Sequence, residues 1–223
     1  MLLYYITDRH AFAGDEDHQR RALLRRVAEA VAAGVDYIQL REKDLSTRAL
    51  ERLANEAVSA VRANSSVTRL LVNGRVDVAL ACGADGIHLP GNSLPASEVR
   101  SLWMRSANRA PVIGASTHSV DEVRYAEAHG ADFAVLAPIF EKPNTDARGL
   151  GLALLSIACH GAPPPDNTEA APRSLFPVLA LGGVKLDNVT ACVRAGASGV
   201  AGIRLFQEGE VLATVRALRQ IGS

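Results

Sequence analysis

Arg41 and Lys43 follow Gln39 at the end of the apolar run Tyr37–Arg41. Side chains alternate along a strand, so Gln39 and Arg41 share one side of the chain and Lys43 continues their row. Two neighbouring cations suit an anionic group on a ligand, and the arginine fork meets a phosphate or carboxylate through two bonds. Pairing with the intervening Glu42 is the competing use of these cations. Asn73 closes a second run, Arg69–Asn73, and adds an amide to the substrate-binding candidates. A third run ends in Ser116, Thr117 and His118, just ahead of Ser119, Asp121 and Glu122, a helix-start pattern. Ser116 is a further substrate contact. A neutral imidazole at position 118 can shuttle a proton near pH 7, so His118 is the catalytic candidate, with helix capping as its alternative. Two glycine-bearing ends complete the set. Gly182-Gly183 lets the backbone approach an anion, and Gly202-Ile203-Arg204-Leu205-Phe206 reads as a short helix whose first N–H groups face it. Gly182, Gly183, Gly202 and Ile203 are therefore the phosphate-binding candidates, unless the glycines serve only tight turns.

Metal chemistry has little to work with. The loops that follow Asn73 and Leu89 read Asn73-Gly74 and Pro90-Gly91-Asn92-Ser93, without a carboxylate. Asp77 belongs to a helix. A magnesium site commonly uses one or two carboxylates, and no convincing pair stands here, so no metal ligand is assigned. Cys82, Cys159 and Cys192 form an odd set without a C-x-x-C pair, which suggests neither a disulfide framework nor a zinc knuckle. His88 lies on a strand and reads as a satisfied interior histidine. His10, His18, His129 and His160 look incidental.

The elements that must position these residues are announced by a phrase that recurs four times: Gly34-Val35-Asp36, Gly83-Ala84-Asp85, Gly130-Ala131-Asp132 and Gly196-Ala197-Ser198, each followed by an apolar run. Glycine ends a helix cheaply, and Asp or Ser suits the turn into a strand. Roughly 250 residues make the eight units of a (β/α)8 barrel, so the first two intervals each hold two units and the third holds two plus an insertion. Strands are expected at 3–7, 37–41, 69–73, 86–89, 112–116, 133–138, 178–182 and 199–203, with helices at 20–33 and 47–63 among others. Eight such units predict one α/β domain over residues 1–223, a TIM barrel of parallel strands. Its active site belongs at the C-terminal strand ends, where the candidates above all fall. The segment 161–172 reads GAPPPDNTEAAP and is expected to be a surface loop or disordered insertion.

Lysines and arginines total 24, as do aspartates and glutamates, so no net field favours nucleic acid. No apolar run approaches the roughly 20 residues of a membrane span. Asp8 and Arg9 cut the apolar start too short for a signal peptide, and a cytoplasmic protein is the expectation. A homodimer is compatible with all of this.

Several segments, taken in order, resemble the thiamine phosphate synthase/TenI family over nearly the whole chain. They are YYITD at 4–8, YIQLREK at 37–43, LVNGRVDVAL at 71–80, GIHLP at 86–90, IGASTHS at 113–119, ADFAVLAPIF at 131–140, LALGGV at 179–184 and GASGVAGIRLF at 196–206. The resemblance implies thiamine biosynthesis and a small phosphorylated thiazole ligand. Its synthase branch couples hydroxymethylpyrimidine diphosphate to a thiazole phosphate. There the residues matching Gln39, Arg41 and Lys43 contact the diphosphate substrate, and Asp residues that match Gly74 and Ser93 hold magnesium. The loop after the sixth strand, Glu141-Lys142-Pro143-Asn144 here, also departs from that branch. The TenI-like thiazole tautomerases carry the Asn-Gly-Arg, Leu-Pro and His found here at Asn73-Gly74-Arg75, Leu89-Pro90 and His118. The resemblance thus implies a tautomerase, an isomerase that needs no cofactor. The alternatives are a synthase, with Mg²⁺, or a non-catalytic binder of thiazole or thiamine phosphates.

Overall fold

The computed structural model describes residues 1–141, 148–161 and 176–221. Eight parallel strands follow one another around a closed barrel in chain order. They are β1 (Leu2–Ile6), β2 (Tyr37–Leu40), β3 (Arg69–Asn73), β4 (Gly86–Leu89), β5 (Val112–Thr117), β6 (Phe133–Leu136), β7 (Val178–Ala180) and β8 (Gly199–Gly202). The ring closes between β8 and β1, with Tyr4 opposite Ala201. Between the strands lie α1 (Glu16–Ala33), α2 (Thr47–Asn64), α3 (Val76–Ala81), α4 (Ala96–Ser106), α5 (Val120–Ala128), α6 (Gly151–His160) and α7 (Val189–Arg194), and after β8 come α8 (Arg204–Gln207) and α9 (Val211–Ile221). This is a single (β/α)8 TIM barrel. Apart from Gly161, the expected 161–172 insertion falls outside the described residues.

The recurring phrase does more than turn the chain. Gly34 ends α1 at φ +94°, with its N–H on the carbonyls of Ala30 and Val31. The Asp two residues later reaches sideways to the start of the preceding strand. Asp36 accepts the Leu3 N–H at 2.7 Å, Asp85 the Leu70 N–H at 2.9 Å and Asp132 the Ile113 N–H at 2.6 Å. Each Asp also returns its own N–H to the same residue's carbonyl, on Leu3, Leu70 and Ile113. Arg219, Arg109 and Arg100 back the three carboxylates. The first amide of a strand lacks a ladder partner, and this device satisfies it at the N-terminal rim. At the fourth copy Ser198 makes backbone bonds there, to Val178 and Leu2, and no side-chain bond among the described residues.

One correction concerns a helix start. Helix α1 begins at Glu16, ahead of the expected residue 20, because Asp15 caps it through the His18 N–H. Helix α4 begins behind Pro95 without a side-chain cap. Ser119 does cap α5, accepting the Glu122 N–H at 3.1 Å.

Inside the ring, Tyr4, Ile6, Leu71, Phe133, Val135, Leu179 and Ala201 pack together. Outward residues such as Leu3, Tyr5, Ile38, Leu40, Leu70 and Val72 join the helices in a larger core. Among the described residues no helix is long and apolar enough to cross a membrane.

Candidate active site

The C-terminal ends of the strands carry the candidates into three neighbourhoods. The first is at β1, β2 and β3. Gln39 points into the barrel and donates to the Tyr4 hydroxyl at 3.0 Å. Glu42, 1% exposed, does not pair with either flanking cation: it meets Arg9 at 3.2 Å and accepts the Thr7 hydroxyl at 2.7 Å. Thr7 in turn accepts the Arg41 N–H at 2.9 Å, so the strand end is clamped from below. Arg9 also holds Asp44, and the guanidinium keeps that carboxyl well below the usual range. Burial pushes the Glu42 carboxyl up, against the bonds from Thr7 and Arg9. The consequence is that the Arg41 guanidinium and the Lys43 ammonium have no hydrogen-bonded or ionic side-chain partner among the described residues. Lys43, Asn73, Gly74 and Arg75 line a cavity of about 240 Å³, together with Leu45 and Leu50. Lys43 therefore faces this recess between the β2 and β3 loops.

The second neighbourhood is at β4 and β5. The His88 ring is buried inside the barrel and lies 2.8 Å from the Ser116 hydroxyl and 3.1 Å from that of Tyr4. Burial, with the Arg41 cation as a lesser cause, drives its pKa down to about 3. His118 sits outside, exposed above β5. Its Nδ1 lies 2.8 Å from the Ala137 carbonyl and its N–H meets the Glu122 carboxylate at 2.7 Å. A carbonyl only accepts, so Nδ1 carries the proton and Nε2 is the basic nitrogen. That nitrogen edge lies over Gly91, where a Cβ would stand 3.9 Å from it.

The third neighbourhood is at β7 and β8. Gly182 and Gly183 take φ values of +94° and +67°. A Cβ on either would stand 2.7 Å from Pro138 or Phe140, because the two loops are knitted together by Ile139 and Phe140 N–H groups on the Leu181 and Gly182 carbonyls. The glycines are thus needed for packing as well as for any anion. Helix α8 follows Gly202 as expected, with Ile203 at its cap.

Gln39 and Ser116 are brought into one network through Tyr4 and His88, whereas His118, the Lys43 recess and the glycine loops stand at separate parts of the rim. Arg9 and Tyr4 gave no chemical signal in the sequence, and Glu42 signalled a pairing with Arg41 or Lys43 that the structure replaces by Arg9 and Thr7.

Residues 3–206 match the family described as thiamine monophosphate synthase. The chain belongs to that family. It is 35% identical over 221 residues to the thiamine-phosphate synthase of Halalkalibacterium halodurans, covering 96% of this chain and 97% of that one. It is 37% identical over 218 residues to the thiamine-phosphate synthase of Methanoculleus marisnigri, covering 97% and 93%. The solved thiamine phosphate pyrophosphorylase from Pyrococcus furiosus superimposes with a TM-score of 0.76 at 29% identity, over 99% of this chain and 94% of that one. A 3-hexulose-6-phosphate synthase, 18% identical with a TM-score of 0.65, shares the barrel fold.

The family resemblance implies magnesium for the coupling reaction, and the donor set here does not fit it. Gly74 and Ser93 occupy the positions expected of carboxylates, and Ser93 closes a turn onto the Pro90 carbonyl. The nearby Asp77 is spent on Arg75 at 2.6 Å, and Glu42 on Arg9 and Thr7. Among the described residues no three His, Cys, Asp or Glu side chains gather as a metal site. The three cysteines are buried and unpaired, and burial raises the Cys159 and Cys192 thiols to about 11, so none is a ready nucleophile.

Proposed function

We propose that this member of the family is a thiazole tautomerase that aromatises a thiazole carboxylate phosphate by moving a proton. The observation that carries the reading is His118, whose Nδ1 lies 2.8 Å from the Ala137 carbonyl, so that the neutral ring leaves Nε2 as its basic nitrogen. In the reaction Nε2 takes a proton from a tetrahedral ring carbon, the electron pair shifts through the ring, and the proton is returned at another carbon. Nothing is oxidised and nothing leaves, so there is no departing diphosphate whose charge needs a metal. Gly182, Gly183, Gly202 and Ile203 bind the phosphate, Arg41 and Lys43 the carboxylate, and Gln39, Asn73 and Ser116 the ring.

A second reading, thiamine phosphate synthase, is favoured by the names of the relatives and by the Arg41 and Lys43 pair. One experiment separates them. The purified protein is given the thiazole tautomer, or hydroxymethylpyrimidine diphosphate with thiazole phosphate, each with and without EDTA. The expected result is aromatisation that survives EDTA and falls about 10²–10⁴-fold in His118→Ala. Coupling activity that EDTA abolishes makes it a synthase. Tight thiazole phosphate binding with neither turnover makes it a binder that acts through partners.

A further inference from the structure

Four buried or half-buried polar side chains on four different strands form a line through the barrel interior. Gln39 Nε2 donates to the Tyr4 hydroxyl at 3.0 Å, that hydroxyl lies 3.1 Å from His88 Nδ1, and His88 Nε2 lies 2.8 Å from the Ser116 hydroxyl. We propose that Tyr4 and His88 are positioning residues that fix Ser116 as a hydrogen-bond donor towards the barrel mouth, so that the ligand must offer an acceptor there. The inference rests on the reading above only in placing the ligand at that mouth.

Counting protons decides the direction. The amide nitrogen of Gln39 can only donate, and it gives its proton to Tyr4. The Tyr4 oxygen has one proton, and the acceptor beside it is His88 Nδ1. His88 therefore carries its hydrogen on Nε2 and donates to Ser116. The Ser116 oxygen accepts that hydrogen bond, and its own hydrogen turns elsewhere. The reverse order would aim an amide hydrogen and an imidazole hydrogen at the one Tyr4 oxygen, leaving the Tyr4 hydrogen buried without an acceptor, which is costly in a site closed to water. Tyr4 is 0% exposed and His88 2%. Burial opposes protonation of His88, and the Arg41 cation opposes it further.

The surroundings are shaped to hold the ring still. Gly114 has no side chain where a Cβ would stand 2.9 Å from His88 Nδ1 and 2.5 Å from Phe133. The Tyr4 and Phe133 rings meet edge to face, with centroids 5.3 Å apart. Ser116 lies two residues nearer the mouth than Gly114 on the same inward row, and it is half-buried. The line thus begins in the closed interior and ends at the open end.

The test needs no ligand at first. Long-range ¹⁵N–¹H spectra of the full chain report the His88 tautomer directly. The expected result is the neutral Nε2–H form, unchanged from pH 5 to 8. A proton on Nδ1, or a titration within that range, overturns the proposal. The second measurement is thiazole phosphate binding by calorimetry. Ser116→Ala is expected to weaken it by about 3–10-fold, as for one neutral hydrogen bond. Tyr4→Phe should release the tautomer and weaken binding to a similar extent, with no further loss in the Ser116→Ala background. Independent, additive losses overturn the relay. If the wild type does not bind thiazole phosphate at all, the proposed function falls, while the tautomer still decides the polarity of Ser116. If Tyr4→Phe does not fold, the wild-type spectrum decides alone.

Discussion

The Arg9–Glu42 pair gives a stability prediction whose size and pH dependence both follow from its geometry. Their side chains are 5% and 1% exposed. Removing one partner of a buried pair costs about 3–5 kcal/mol, because the other charge is left without compensation. In Arg9→Met the carboxylate keeps the Thr7 hydroxyl and the backbone N–H of residue 9, so the low end applies, about 3 kcal/mol. The lost contact with half-exposed Asp44 adds at most about 1 kcal/mol. For a chain of this size the total of about 3–4 kcal/mol lowers the melting temperature by roughly 6–16 °C.

The pH dependence has a definite sign. Burial already raises the Glu42 carboxyl, and Arg9 opposes it. Without Arg9 the carboxyl rises further. A carboxyl raised in the folded state favours folding fully below its unfolded pKa of about 4.3, and that contribution is lost as pH climbs through the folded value. The Arg9→Met deficit should therefore be small at pH 5 and grow towards pH 8. Glu42→Gln in the same background should recover most of it. Urea unfolding at both pH values measures this. A deficit below about 1 kcal/mol at pH 8, or one equal at both pH values, would refute a buried charge pair as the anchor of this strand end.

Three other outcomes are expected. Arg41→Ala should weaken binding by roughly 1.5–3 kcal/mol for a carboxylated or diphosphorylated ligand and by less for the truncated analogue; equal losses would make the arginine structural. Asp132→Ala leaves the Ile113 amide without its acceptor and should cost about 1–3 kcal/mol in chemical denaturation, with Asn recovering part of it. Gly183→Ala, at φ +67° and with its Cβ 2.7 Å from Phe140, should destabilise the ligand-free protein by about 1–3 kcal/mol, and an unchanged melting curve would show that the loop yields.

Strand positions were readable because each strand is a short apolar run between a helix-ending glycine and a polar rim. β3 and β4 match their expected bounds end to end, and the others differ by a few residues at the ends. The closed barrel followed from counting the units. What was not readable is the choice of partner across the barrel. Asp36 serves Leu3 from 33 residues away, and Tyr4 meets His88 across 84. Alternation shows that Tyr4, Gln39, His88 and Ser116 all face inward, but not which of them touch. The same limit explains Glu42: its neighbours in sequence are cations, yet strand geometry turns it towards Arg9, away from both.

The barrel interior is consequently two-sided. The wall built by β1, β2, β4 and β5 is polar, through Tyr4, Gln39, His88 and Ser116, whereas β6, β7 and β8 contribute Val135, Leu179 and Ala201. The glycine loops lie at the rim above β7 and β8, on the apolar side. In the proposed function the phosphate is held at those loops and the ring is turned towards the polar wall. Phosphate contacts would then supply affinity and direction, while the ring contacts select chemistry. Each inner member of the line is bonded to a neighbour on another strand. A single replacement inside the line therefore disturbs an adjoining strand as well, and the inward positions of these four strands are constrained as a set.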